Sequence, residues 1–60
     1  MFDIEILYSE TLNNAIKCKM DVSTIVNLKE IHKHNQNNNF AWSGYKRLLN
    51  RLNGYYKERI

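Results

Sequence analysis

Close to its N-terminus the chain alternates between apolar and polar residues. Phe2, Ile4, Ile6 and Tyr8 are apolar, Asp3, Glu5 and Ser9 are polar, and Leu7 is the one break. A second run is cleaner, with Ile16, Cys18, Met20 and Val22 interleaved with Lys17, Lys19, Asp21 and Ser23. A period of two is the pattern of a half-buried strand. Between the runs lies Glu10-Thr11-Leu12-Asn13-Asn14, where adjacent asparagines tolerate the positive φ of a turn. The pattern predicts a β-hairpin over about residues 2–22, its acidic strand facing its lysine-bearing strand. The competing reading is a helix over 4–20. On a helical wheel Ile4, Ile6, Leu7, Leu12, Ile16 and Met20 scatter without forming a stripe, which favours the hairpin. An isolated hairpin is marginal in water, so its apolar face calls for a cover.

Helical signals start after Met20. Asp21, Ser23 and Thr24 are candidate N-caps, and Ile25, Leu28, Ile31 and His32 follow at spacings of three and four. This predicts a helix over about 23–34, with His32 at the edge of the core and His34 in solvent. Asn35-Gln36-Asn37-Asn38-Asn39 reads as a polar loop over 35–39, because asparagine competes with the helical backbone for hydrogen bonds. The clearest pattern comes last. Trp42, Tyr45, Leu48, Leu49, Leu52, Tyr55, Tyr56 and Ile60 share an arc of roughly 140° on a helical wheel. Lys46, Arg47, Asn50, Arg51, Asn53, Lys57 and Glu58 fill most of the other side. An amphipathic helix over about 41–58 follows, with Asn39 or Ser43 as its cap, Leu52 at the centre of its apolar arc, and Asn53-Gly54 as a possible early end. The expected fold is α+β, an N-terminal β-hairpin followed by two α-helices in a single small domain over 1–60.

Size limits what such a chain can do. Sixty residues support only a thin core, and small scaffolds usually rely on a disulfide, a metal or self-association. Cys18 is the single cysteine, and no Cys and His set has zinc-site spacing. Neither a cofactor nor a metal is expected, which leaves a homodimer, or stability gained on a partner, as the expectation. A free thiol, the absence of a secretory pattern and of any membrane-spanning apolar run point to the cytoplasm. Abundant asparagine, lysine, isoleucine and tyrosine, all with AT-rich codons, suggest a phage-like or mobile-element origin.

Charge is divided unevenly. Residues 1–30 carry three lysines against five carboxylates, a net −2, and residues 31–60 carry six basic side chains against Glu58 alone, a net +5. A basic half suggests an acidic partner. Catalytic chemistry has few candidates. Cys18 sits among apolar neighbours, where a thiol behaves as a small hydrophobe. His32 and His34 are two apart on a helix and point different ways. Asp3 and Glu5 face lysines in the hairpin, and Gly44 and Gly54 form no phosphate loop. The expected function is therefore binding without catalysis. The leading expectation is a small protein that modulates or inhibits a larger host protein by occupying its surface. The alternative is DNA or RNA binding through the basic last helix. Membrane association is not expected. Expected partner-binding residues are Lys46, Arg47, Asn50, Arg51 and Lys57 from the basic face, with Trp42 and Tyr55 from the aromatic set, a combination rich in hot-spot residue types.

Overall fold

A computed structural model describes residues 4–38 and 42–60, with the side chains of Asn38, Trp42 and Ser43 outside that description. It comprises three helices in order, α1 (Ile4–Lys17), α2 (Val22–Asn38) and α3 (Trp42–Arg59), and no strand occurs among the described residues. The expected β-hairpin, and with it the α+β class, is corrected to an all-α fold. Phe2 and Asp3, at the start of the expected first strand, lie outside the described residues.

The side chains that α1 buries explain the correction. Leu7, Thr11, Asn14 and Ala15 are buried, with Ile4, Tyr8, Leu12 and Cys18 packed beside them. Positions 4, 7, 8, 11, 14, 15 and 18 recur at three and four, the spacing of a helix face. Two of those positions are polar, Thr11 and Asn14, and an aliphatic stripe does not include them. Ile6 and Ile16, which supplied much of the strand-like alternation, are 65% and 56% exposed. Thr11 is accommodated by its hydroxyl donating to the Leu7 carbonyl at 2.8 Å, one turn back. Glu5 in the first turn and Lys17 in the last suit the helix dipole.

The second alternating run is a helix end, a turn and a helix start. Met20 N–H donates to Ala15 O at 3.1 Å and Lys19 N–H to Ile16 O at 3.0 Å, while Lys19 adopts φ 60°. This pair of bonds is a Schellman motif, and Met20 joins the cluster around Ala15, as the motif's apolar contact requires. Asp21 then caps α2. Its carboxylate accepts from the Thr24 N–H at 3.3 Å and from the hydroxyls of Ser23 and Thr24, while its carbonyl takes the Ile25 N–H at 3.2 Å. These bonds, that from the Thr24 hydroxyl first, hold the Asp21 carboxyl below its usual value.

Residues 35–38, expected in the loop, continue α2. Asparagine costs only a few tenths of a kcal/mol in a helix, and two side chains offset it. Asn35 donates back to Ile31 O at 2.8 Å, and Gln36 crosses to the Glu5 carboxylate on α1 at 3.2 Å. Likewise α3 runs through Gly54 to Arg59 without the early end that Asn53-Gly54 suggested.

Contacts between helices set their directions. Leu7 of α1 meets Tyr45 and Leu49 of α3, and Ala15 meets Tyr56, so α1 and α3 run the same way. Leu28 packs beside Ala15, while Gln36 reaches Glu5, so α2 runs against them. α1 is the common partner and packs more closely on α3 than on α2.

The apolar core is therefore in two parts, Leu7–Tyr45–Leu49 at one end and Ala15–Leu28–Tyr56 at the other. Thr11, Asn14 and Asn53 form a buried polar layer between them. Asn14 Nδ2 donates to Asn53 Oδ1 at 2.6 Å, Asn53 Nδ2 donates to Glu10 Oε1 at 3.1 Å, and Lys57 Nζ reaches the same oxygen at 2.8 Å. Polar pairing inside a helix seam fixes register, since sliding α1 along α3 would leave each amide unpaired.

Candidate interaction surface

Burying Asn53 turns α3 about its axis. Its buried side chains are Tyr45, Leu49, Asn53 and Tyr56, whereas Leu48 and Tyr55 at the other edge of the expected arc are 38% and 46% exposed. The buried arc is thus rotated by roughly 50° from the purely apolar one, at about 100° per residue. Leu52, expected at the centre of the core, is half-buried beside the Ala15–Leu28–Tyr56 cluster.

That rotation brings apolar and basic residues together on the solvent side. Gly44, Leu48, Arg51, Tyr55 and Glu58 follow one another at spacings of four and three, with Arg47 alongside. Gly44, Arg47, Leu48 and Arg51 line a shallow open depression of about 180 Å³. Small-molecule pockets run to several hundred Å³, so this one suits a single side chain of a macromolecule. Among the described residues neither Arg47 nor Arg51 has a hydrogen-bond or ion-pair partner. The Arg59 guanidinium lies 4.7 Å from the Tyr55 ring centroid, and the Tyr55 ring meets Tyr56 edge-on at 5.6 Å. A Cβ added at Gly44 or Gly54 would find nothing within 4 Å among the described residues.

The residues expected to bind a partner do not all share this face. Arg47, Asn50, Arg51 and Tyr55 are exposed. Lys57 is turned toward α1, where it pairs with Glu10. This pairing, followed by the bond from Asn53, lowers the Glu10 pKa. Lys46 is half-buried. The side chain of Trp42, and Phe40 two residues before it, lie outside the described residues.

A second cluster was not legible in the sequence. His32 of α2 is buried, stacked on Tyr8 with ring centroids 3.8 Å apart and planes 5° from parallel. Its Nδ1 lies 2.6 Å from the Tyr45 hydroxyl, and its Nε2 lies 2.6 Å from Glu5 Oε1, off the line of a straight hydrogen bond. Which of His32 Nδ1 and the Tyr45 hydroxyl donates to the other follows from the tautomer of the imidazole. Burial first, and then Tyr8 and Glu5, push the Tyr45 pKa well above the ordinary tyrosine value. That is the reverse of what activates a hydroxyl for attack, and Tyr45 is only 4% exposed. The cluster ties all three helices together.

Cys18 is half-buried, its thiol donating to Ala15 O at 3.4 Å. Among the described residues no group of His, Cys, Asp and Glu is placed to hold a metal ion. None of the helices there is long and apolar enough to cross a membrane. Compared with protein-family models, curated proteins and solved structures, the chain matches none. The fold and its surfaces define the class, a three-helix domain with a buried polar layer and a basic, partly apolar outer helix face.

Proposed function

We propose that this chain is a binding protein without catalytic activity, which modulates or inhibits a larger protein by covering an acidic patch with the outward face of α3. One observation carries the reading. Arg47 and Arg51, one turn apart around Leu48 and an open depression, have no hydrogen-bond or ion-pair partner among the described residues. The chain's carboxylates at Glu5, Glu10 and Asp21 are engaged with His32, Lys57 and the start of α2. These three carboxylates are thus occupied within the bundle, while Arg47 and Arg51 stay exposed on α3. Arginine presents a planar fork of donors that fits a carboxylate at two points, and Leu48 and Tyr55 add apolar area beside it. The free thiol suits a reducing cytoplasm as the place of action. Two copies pairing through this face would bring like charges together, which argues against it as a homodimer seam.

The test is capture from a lysate of the host by the immobilised chain, with and without nuclease, beside the R47E/R51E variant. A protein retained after nuclease by the wild type and lost by the variant is the expected result. Capture that disappears with nuclease means nucleic acid, and equal capture by both proteins removes the face from consideration.

A further inference from the structure

Resting on that reading of the α3 face, we infer that the element it receives is an acidic amphipathic α-helix lying along α3. The exposed row Gly44, Leu48, Arg51, Tyr55, Glu58 has a 4-3-4-3 spacing, the spacing of a seam between two helices. From Gly44 to Glu58 the row spans about 21 Å at 1.5 Å per residue, nearly four helical turns. Leu48 and Tyr55, seven residues apart, are the apolar positions of the row. Arg51 lies between them and Arg47 beside them, where a flanking carboxylate of the incoming helix would meet each guanidinium. Helix axes pack 8–10 Å apart, the distance set by the side chains at the contact. The open space at Gly44 lets a second helix come close at the start of the row, and Leu48, Arg51 and Tyr55 set the distance further along.

Other occupants fit less well. A second copy of α3 would bring Arg47, Arg51 and Arg59 against the same three arginines, with only Glu58 from each copy in return. A phosphate backbone would use the arginines and gain little from Leu48 and Tyr55, since its affinity comes from charge neutralisation. An acidic helix with apolar residues at the same spacing uses both features.

Three labelled probes separate these cases in titrations against the full chain at physiological salt. One is an 18-residue helical peptide with leucines at 4-3-4 spacing flanked by glutamates. The second has the same composition with its leucines spread evenly around the helix. The third is a short random-sequence DNA duplex. The patterned peptide should bind at least about tenfold more tightly than either of the others, a difference of about 1.4 kcal/mol. L48S should erase most of that advantage with little change in melting temperature, because Leu48 is not part of the packed core. G44L, which fills the depression's edge, should weaken the patterned peptide selectively. Equal binding of the two peptides overturns the inference. If R47E/R51E then abolishes both, the basic face still stands as a binding surface. Tightest binding of the duplex overturns the inference and the protein-partner reading together. Absence of binding by the patterned peptide also overturns the inference, while capture from the lysate still decides the reading beneath it.

Discussion

Replacing Asn53 with Ala tests the polar layer at its centre. Asn53 joins α3 to α1 twice, accepting from Asn14 and donating to Glu10, and it is buried. Truncation leaves the Asn14 amide facing an apolar side chain where water has little access. A buried donor stranded in this way costs about 1–3 kcal/mol. Globular domains are stable by about 0.05–0.15 kcal/mol per residue, or roughly 3–9 kcal/mol for a chain of this length. The single substitution therefore removes a large fraction of the total. At about 4–8 °C per kcal/mol for a domain of this size, the melting temperature should fall by roughly 5–20 °C. Asn14→Ala should cost a similar amount. The double variant should cost less than the two together, because removing both partners leaves no orphaned group. A coupling energy of about 1–2 kcal/mol is expected from a double-mutant cycle on urea-unfolding free energies. Additivity within about 0.5 kcal/mol would show that the two amides do not depend on each other in the folded state. The parallel register of α1 and α3 would then have to rest on the two apolar clusters.

Other perturbations address other parts of the bundle. Leu49 has no exposed surface and joins Leu7 and Tyr45, so Leu49→Ala should cost about 2–5 kcal/mol and unfold much of the population at 37 °C, measured by circular dichroism. Lys19 holds a left-handed conformation at φ 60° that costs an L-residue about 1–2 kcal/mol. Lys19→Gly should therefore raise stability by about 0.5–1 kcal/mol once the greater freedom of glycine in the unfolded chain is subtracted, and a lower melting temperature would contradict the Schellman end of α1. Glu10 and Asp21 have folded pKa values below their ordinary ones, through Lys57 and Thr24 respectively. Their stabilisation is complete above the unfolded carboxylate range, about pH 4, and is lost as pH falls through the lower folded values. Melting temperatures should decline with acid below that range, and the decline should be shallower in the Glu10→Gln variant.

The second and third helices are legible in the chain and the first is not, for reasons visible in particular residues. The sequence predicts the last helix over 41–58 and it spans Trp42–Arg59, because Tyr45, Leu49, Leu52 and Tyr56 at helical spacing pack inward and outweigh Gly54. In α1 the buried face includes Thr11 and Asn14, and exposed Ile6 and Ile16 imitated a strand. A reading that treated Asn14 and Asn53 as possible core partners would have found the stripe at 4, 7, 8, 11, 14, 15 and 18. No rule of local pattern supplies that pairing, because the residues are thirty-nine apart in sequence. The same long-range pair rotates α3 and decides which of its residues face solvent. Composition pointed to the basic residues of the last helix, but it could not separate Arg47 and Arg51 from Lys57, which is held by Glu10. His32 was placed at the edge of the core. Its links to Tyr8, Tyr45 and Glu5 depend on how all three helices meet.

The most direct test of the proposed role is the salt dependence of partner binding by the wild-type chain, measured beside R47E/R51E. Exposed charges contribute only about 0–1 kcal/mol to folding, so the variant should melt within a few degrees of the wild type. A protein partner held by arginines around an apolar row should show a modest loss of affinity between 50 and 200 mM salt, far short of the roughly thousandfold or greater loss of phosphate-driven binding, and the folded variant should not bind. A thousandfold loss across that range, or a folded double variant that binds as tightly as the wild type, would contradict the assignment of the α3 face to an acidic protein partner.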